Sequence, residues 1–253
     1  MEVLLFATLQ AKLLFDFCQT VMIGVEPRGN ENTYMKFLSV KAVPSVSWSS
    51  KHPLNFRPKA KTVFLLCLGL IIFGVGEALL IAAAVGVSPW VVLAEGIGLV
   101  TGLYIGWANF LVSIGVLLLW IPLRQIPGLG TILNAILVSA ALGLSLPLLP
   151  TPDILLLQIA QSAVGIFLVG MGSGIYLIAH LGPGPRDGLM TGLQHVTQFP
   201  IAWVRTSLEV TVVILGWLLG GTVGLGTLMF AFGIGPAVSF GLYTVSRFSS
   251  QKD

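Results

Sequence analysis

The sequence predicts an all-α membrane protein of six transmembrane helices in a 3+3 inverted repeat, with a short non-spanning helix in each half. Three observations predict it: a charge-poor composition, a second half that repeats the first, and basic residues confined to one side of the resulting topology. Of 253 residues, 55% are apolar and 9% are charged, and the mean hydropathy is +0.95. A soluble domain carries about 25% charged residues. Between Thr62 and Ser246 the charged side chains reduce to Arg124, Arg186, Arg205, Glu77, Glu95, Asp153, Asp187 and Glu209, with His180 and His195 beside them. A helix of about 20 apolar residues spans a bilayer, and the chain holds several such runs.

Residues 1–60 differ from the rest. Met1 to Val25 is apolar but interrupted by Glu2, Lys12 and Asp16, which argues against a signal peptide. An interfacial helix there and an over-extended start with Met35 as first residue both remain open. Glu26 to Lys61 carries seven Lys or Arg against two acids and is rich in Asn, Ser and Pro. It reads as a poorly ordered, basic cytoplasmic arm. Residues 61–150 form the first membrane repeat and 151–248 the second, together one integral membrane domain. Cys18 and Cys67 make neither a metal spacing nor a disulfide framework. The net charge of +3 reports the membrane face rather than a nucleic-acid partner.

Shifted by 96 residues, the segment 69–143 aligns with 165–239 without a gap and with 21 identities in 75 pairs. Shared composition gives about a third of that, so the repeat is real. Pro89 matches Pro185, Trp107 matches Trp203, and Gly128-Leu129-Gly130-Thr131 matches Gly224-Leu225-Gly226-Thr227. Each copy predicts a long apolar helix (62–85 and 154–181), a short segment entered through Gly and Pro (88–103 and 187–199), and two further spans (104–123 with 129–149, then 201–219 with 225–245).

Charge decides whether the short segments cross. If they do not, the basic arm, Arg124, Arg186, Arg205, Arg247 and Lys252 all fall inside, as the positive-inside rule prefers. If they do, Arg124 lands outside. Each repeat then crosses three times, the second copy is inverted relative to the first, and both termini are cytoplasmic. Matching short, Gly/Pro-interrupted segments point to a transporter's binding site.

The most unusual stretch is Gly182-Pro-Gly-Pro-Arg-Asp-Gly188. Gly and Pro stop the long helix near Leu181, and Asp187 is expected to cap the next one. Leu189, Leu193 and Val196 would share one face of that helix; Asp187, Thr191, Gln194, His195 and Gln198 would share the other. Arg186 beside a helix N-terminus suits an anion or is a tight turn obeying the charge rule. Arg205 and Glu209, four apart, can pair on one helix face. Glu77 is an intramembrane acid: unpaired, it is a candidate for a proton or cation; alternatively it pairs with Arg205 or with polar groups such as Asn109. Glu95 is expected to be exposed and inert, and His180 to bond a carbonyl at the interface or join the site. Small residues four apart, Gly102/Gly106, Gly170/Gly174 and Gly216/Gly220/Gly224 among them, predict close helix packing.

At GPGPRDGLMTGL, Gly182 to Leu193, the chain resembles the YczE-like family of bacterial membrane proteins, related in turn to the YitT group. The resemblance runs from about Lys61 to the C-terminus. It implies a bacterial inner-membrane protein and marks Gly184, Pro185, Arg186, Asp187 and Gly188 as signature positions. No substrate or catalytic residue transfers with it.

No nucleotide loop, zinc motif or catalytic triad is visible, so neither enzymatic activity nor a cofactor is expected. The leading expectation is a small-solute transporter in which Arg186, Asp187, Arg205, Glu209, Glu77, His180 and Gln194 bind substrate. Its partners would be the lipid bilayer and a small anionic solute, and six helices make a whole unit or half of a homodimer. The alternative is a non-transporting regulator or scaffold that holds a partner protein. A transporter requires a polar cavity that reaches the midplane and is bordered by both short segments; a scaffold requires a closed, dry bundle with its charged residues exposed to the cytoplasm.

Overall fold

The computed structural model describes residues 43–55 and 57–249. Among them are eight α-helices, one 3-10 turn and no strand. In chain order the helices are α1 (Ala60–Ala82), α2 (Pro89–Thr101), α3 (Ile105–Trp120), α4 (Leu129–Ser145), α5 (Leu155–Ile178), α6 (Pro185–Thr197), α7 (Ile201–Leu218) and α8 (Leu225–Phe248). The helices α2 and α6 begin and end 96 residues apart, and α3/α7 and α4/α8 start with the same displacement. So do the left-handed residues that turn the chain: Ala84 and His180, Gly86 and Gly182, Gly102 and Gln198, Arg124 and Gly220.

Among the described residues, five helical stretches are long and apolar enough to cross a membrane: α1, α4 with its 3-10 turn, α5, α7 and α8. The sixth expected span is shorter than anticipated. α3 has 16 residues, about 24 Å at 1.5 Å per residue. It qualifies only together with α2, from which it is bent by 115°. Pro122 and the left-handed Arg124 stop α3 before the expected end.

The helices are inside-out relative to a soluble protein. Phe64, Trp107, Leu118, Leu144, Leu156 and Leu218 are exposed, while Glu77, Asn109, Ser113, Ser139, Ser162 and Ser173 are buried. Apolar side chains outward and polar groups inward is the distribution a bilayer demands. The chain is a multi-pass membrane protein.

α1 and α5 cross at the centre in antiparallel directions. A β-carbon at Gly69 would stand 2.9 Å from Gly172 O, and one at Gly76 would stand 2.7 Å from Gly165 O. α8 packs on α5 in the same way, Gly170 against Ala237 and Gly174 against Gly241. Small residues let backbones approach where lipid supplies no hydrophobic drive between helices. Gly102 departs from that expectation. It touches nothing within 4 Å and instead ends α2 at φ 72°, the left-handed C-cap that glycine permits.

The halves interlock through reciprocal hydrogen bonds. Gly130 N donates to Leu181 O and Gly226 N donates to Val85 O, each at 2.7 Å. The start of the fourth helix in each half thus anchors the turn before the other half's short helix. At these starts Gly128 N donates to Thr131 Oγ1 and Gly224 N to Thr227 Oγ1.

The arm was expected to be poorly ordered to residue 60; residues 46 to 50 pack. Val46 and Trp48 sit in a core cluster with Leu66, Leu70, Tyr176, Ile178 and Leu242. Trp48 Nε1 donates to Ser249 Oγ at 2.9 Å, and Thr62 Oγ1 donates to Trp48 O. Ser49 Oγ and Ser50 N donate to Ile178 O and Ala179 O, at 2.6 and 3.0 Å. A helix end leaves such carbonyls without partners, and the arm supplies donors. The expectations for residues 1–42, Cys18 included, lie outside the described residues.

Candidate functional site

The N-terminal turn of α6 carries the densest polar cluster. Pro185 is its first residue, where the missing N–H and fixed φ suit a helix start. Asp187 therefore does not cap. The helix begins two residues before the expected point, Asp187 falls inside the first turn, and no side chain caps Gly184. Its carboxylate instead accepts from Tyr176 OH, 2.5 Å away on α5. Trp120, 2% exposed, fixes the turn from the other side, with Nε1 donating to Pro185 O at 3.0 Å. A β-carbon on Gly188 would stand 2.0 Å from its Cζ2.

These supports aim Arg186 inward. Its Nη2 donates to Asn109 Oδ1 at 2.9 Å, and its Nη1 lies 3.8 Å from Glu77 Oε1. Its Cζ stands 5.5 Å from the centre of the Trp90 ring, a cation–π distance. Glu77 is fully buried; Ser88 Oγ donates to its Oε2 at 2.7 Å, and its Oε1 has no hydrogen-bond donor. Glu77 is thus neutralised by Arg186, not by Arg205 or Asn109. Arg205 Nε is engaged at 2.9 Å with Glu209 Oε1 on its own helix, and Asn109 gives its Nδ2 to Ser139 Oγ at 2.8 Å.

Around this cluster lies a cavity of about 330 Å³. Both short helices border it: α2 through Ser88, Pro89 and Trp90, and α6 through Gly184, Pro185, Arg186 and Asp187. Lining positions fall in pairs 96 apart, including Trp90 with Arg186, Asn109 with Arg205, and Ser113 with Glu209. Apolar walls come from Phe73, Val169, Phe230 and Ile234.

Of the expected site residues, Arg186, Asp187, Arg205 and Glu209 line the cavity, with Gly184 and Pro185 of the signature turn. Glu77 stands immediately behind, through Ser88 and Arg186. Gly188 seats Trp120. His180 and Gln194 do not line it. His180 Nε2 faces Pro44 O at 3.4 Å, because the left-handed turn at φ 52° swings it toward the arm. Gln194 lies two turns along α6, and Gln198 N donates to its backbone carbonyl. Glu95, expected to be inert, accepts from Thr222 N at 2.9 Å and ties α2 to the turn after α7. Along the apolar face expected for α6, Leu189 is buried and Val196, at the helix end, is 62% exposed. Ser88, Trp90, Asn134, Ser173 and Tyr176 were not anticipated as lining residues. The repeat carried a signal for three of them: Trp90 is the counterpart of Arg186, Ser88 of Gly184 and Ser173 of Glu77.

The profile of a family of unknown function, DUF6198, matches residues 60–242. An uncharacterized protein of Haemophilus influenzae is 42% identical over 208 residues, which cover 82% of this chain and 94% of that one. The uncharacterized membrane protein YczE of Bacillus subtilis is 32% identical over 176 residues, 69% of this chain and 82% of its own. A third relative, YyaS of Bacillus subtilis, is 26% identical over 166 residues. No solved structure matches.

Proposed function

The chain belongs to the DUF6198 family, and we propose that it is a small secondary transporter whose two halves form a 3+3 inverted repeat around the cavity. The observation that carries this reading is the cavity itself, bordered by the N-terminal turns of both short helices. Paired, interrupted segments at a central site are the architecture of alternating-access carriers. The cavity favours this reading over a scaffold, for which a closed, dry bundle was expected.

The inverted arrangement draws support from α1 and α5. They hold equivalent places in the two halves, and their glycine contacts run antiparallel. Two copies related in that way enter the membrane from opposite sides. With α2 and α6 not crossing, the basic residues gather on one side and both termini are cytoplasmic. Glu77 is the acid positioned to couple transport to a proton or cation.

The test is uptake and efflux of a metabolite panel in cells with and without the protein, with Arg186→Ala and Glu77→Gln alongside. A protein-dependent flux that either substitution abolishes, at equal membrane abundance, is the expected result. No flux across a broad panel from folded protein would sink the reading in favour of a regulator or scaffold. Accessibility of single cysteines at Val85 and at Arg124 checks the topology, which requires opposite sides.

A further inference from the structure

We propose that the cavity binds a small organic monoanion with an apolar body, its charge on Arg186, and that Glu77 takes up one proton when the anion binds. The inference deepens the transport reading and rests on it for its purpose, though the binding event can be measured without transport.

The argument starts from what Arg186 leaves unspent. A guanidinium has five N–H donors in a fixed fork. One is used at hydrogen-bond length, on Asn109. Glu77 Oε1, at 3.8 Å, is an ion-pair partner beyond hydrogen-bond reach. Trp90 takes one face of the group, and Arg186 lines the cavity with its side chain 22% exposed. An anionic group that presents two oxygens, a carboxylate or a sulfonate, meets a ready bidentate partner there.

Charge then requires the proton. The site holds Arg186 and Arg205 against Glu77, Asp187 and Glu209, a balance of −1 with every acid ionised. Adding a bare anion to that set is unfavourable in a water-poor interior. If Glu77 is protonated as the anion arrives, the ligand's charge replaces the carboxylate's and the balance stays the same. Glu77 is the acid suited to this exchange. Asp187 accepts from Tyr176 and Glu209 from Arg205, whereas Glu77 Oε1 is open. A proton placed on Oε1 can point toward the cluster, and Ser88 keeps Oε2. A cation would find the reverse: Glu77 lies behind the wall and Arg186 stands in front of it.

The neighbourhood of Glu77 adds no competing group. Of the helices packed on α1, α4 has no titratable residue and α5 has only Tyr176, which is bound to Asp187. α2 has only Glu95, bound to Thr222 N, and α3 has none. α6 brings Arg186, Asp187 and, in its last turn, His195; α7 brings Arg205 and Glu209; and α8 has Tyr243 and Arg247 near its far end. On α1 itself, Cys67 and Lys61 lie ten or more residues earlier. Phe73, Met190, Phe230 and Ile234 provide the apolar wall for the ligand's body.

The test uses the purified full-length chain in detergent and three probes built on one benzene ring: benzenesulfonate, which does not titrate, neutral benzamide, and benzylammonium. Isothermal titration in buffers of different ionisation heat reads the protons exchanged. Benzenesulfonate is expected to bind with uptake of about one proton, tightening up to about tenfold per unit fall in pH. Glu77→Gln should bind it with no proton uptake and no pH dependence. Arg186→Ala should lose it, and Arg186→Lys, which keeps the charge, should retain weakened binding. Any of three results overturns the proposal: no binding of benzenesulfonate to the unmodified chain, binding without proton uptake, or preference for benzylammonium. Flux of another solute in cells without anion binding removes this proposal and leaves transport standing. Proton-linked binding without flux does the opposite.

Discussion

Removing Arg186 should destabilise the protein chiefly through the carboxylate it leaves behind. Glu77 is fully buried, with Ser88 as its hydrogen-bond donor, and Arg186→Ala takes away its cation. At 3.8 Å and an effective dielectric near 20, the pair's attraction is about 4 kcal/mol. Breaking a buried pair from one side costs about 3–5 kcal/mol. The adjoining cavity admits water once the guanidinium is gone, which places the expected loss at the lower end, about 3 kcal/mol. For a domain of this size that is a fall in Tm of roughly 6–12 °C. The assay is thermal unfolding of detergent-solubilised protein, with Arg57→Ala, an exposed site, as a control that should change stability by less than about 0.5 kcal/mol. The decisive variant is Arg186→Ala combined with Glu77→Gln. Removing both charges should restore most of the loss, giving a coupling of about 2 kcal/mol across the cycle. If the double variant is as unstable as the sum of the singles, the two residues do not neutralise each other and the account of the cluster is wrong.

Three further outcomes are expected. Gly188→Ala drives a β-carbon into Trp120 Cζ2; the overlap should cost about 1–3 kcal/mol, and adding Trp120→Phe should recover part of it in a thermal shift, despite losing the hydrogen bond to Pro185 O. Gly76→Leu together with Gly165→Leu should abolish monodisperse protein on size exclusion, because each β-carbon would meet the opposing backbone carbonyl within 3 Å; recovery of folded protein would refute the close crossing of α1 and α5. Trp48→Ala empties a site that is 3% exposed, with an expected loss of about 3–5 kcal/mol. Limited proteolysis should then cut within residues 43–55, and unchanged resistance would show that the arm is held by other contacts.

Much of the architecture was legible because membrane helices announce themselves by length and apolarity. The 96-residue displacement also fixed which segments are equivalent. The start of α6 was misjudged because Pro185 and Asp187 compete as helix-initiation signals. Proline at the first position won, since it sacrifices only an N–H the helix does not use. The partner of Glu77 was not legible, because Glu77 and Arg186 are 109 residues apart and meet only through the way the helices cross. Trp48 was readable in principle. A tryptophan in a polar, basic segment needs a place to bury its ring, and the ends of α5 and α8 provide one.

The asymmetry of the site follows from its location. Where two equivalent halves meet, matching positions approach each other, as Trp90 and Arg186 do at 5.5 Å. Two arginines there would repel, and two tryptophans would leave the buried carboxylate of Glu77 without a cation. A duplicated chain in one polypeptide escapes that restriction, because each copy can carry a different residue at the meeting point. Asn109 opposite Arg205 and Ser113 opposite Glu209 follow the same pattern: the first half supplies neutral hydrogen-bonding groups and the second supplies charge. Symmetry of the backbone with divergence of the lining makes the cavity directional, with the charged side chains Arg186, Asp187, Arg205 and Glu209 from one half and a polar, aromatic wall from the other. That arrangement predicts that exchanging Trp90 and Arg186 in a double variant, Trp90→Arg with Arg186→Trp, will not recover the thermal stability lost in Arg186→Trp alone. Glu77 would remain in the first half, while its counterpart in the second is Ser173.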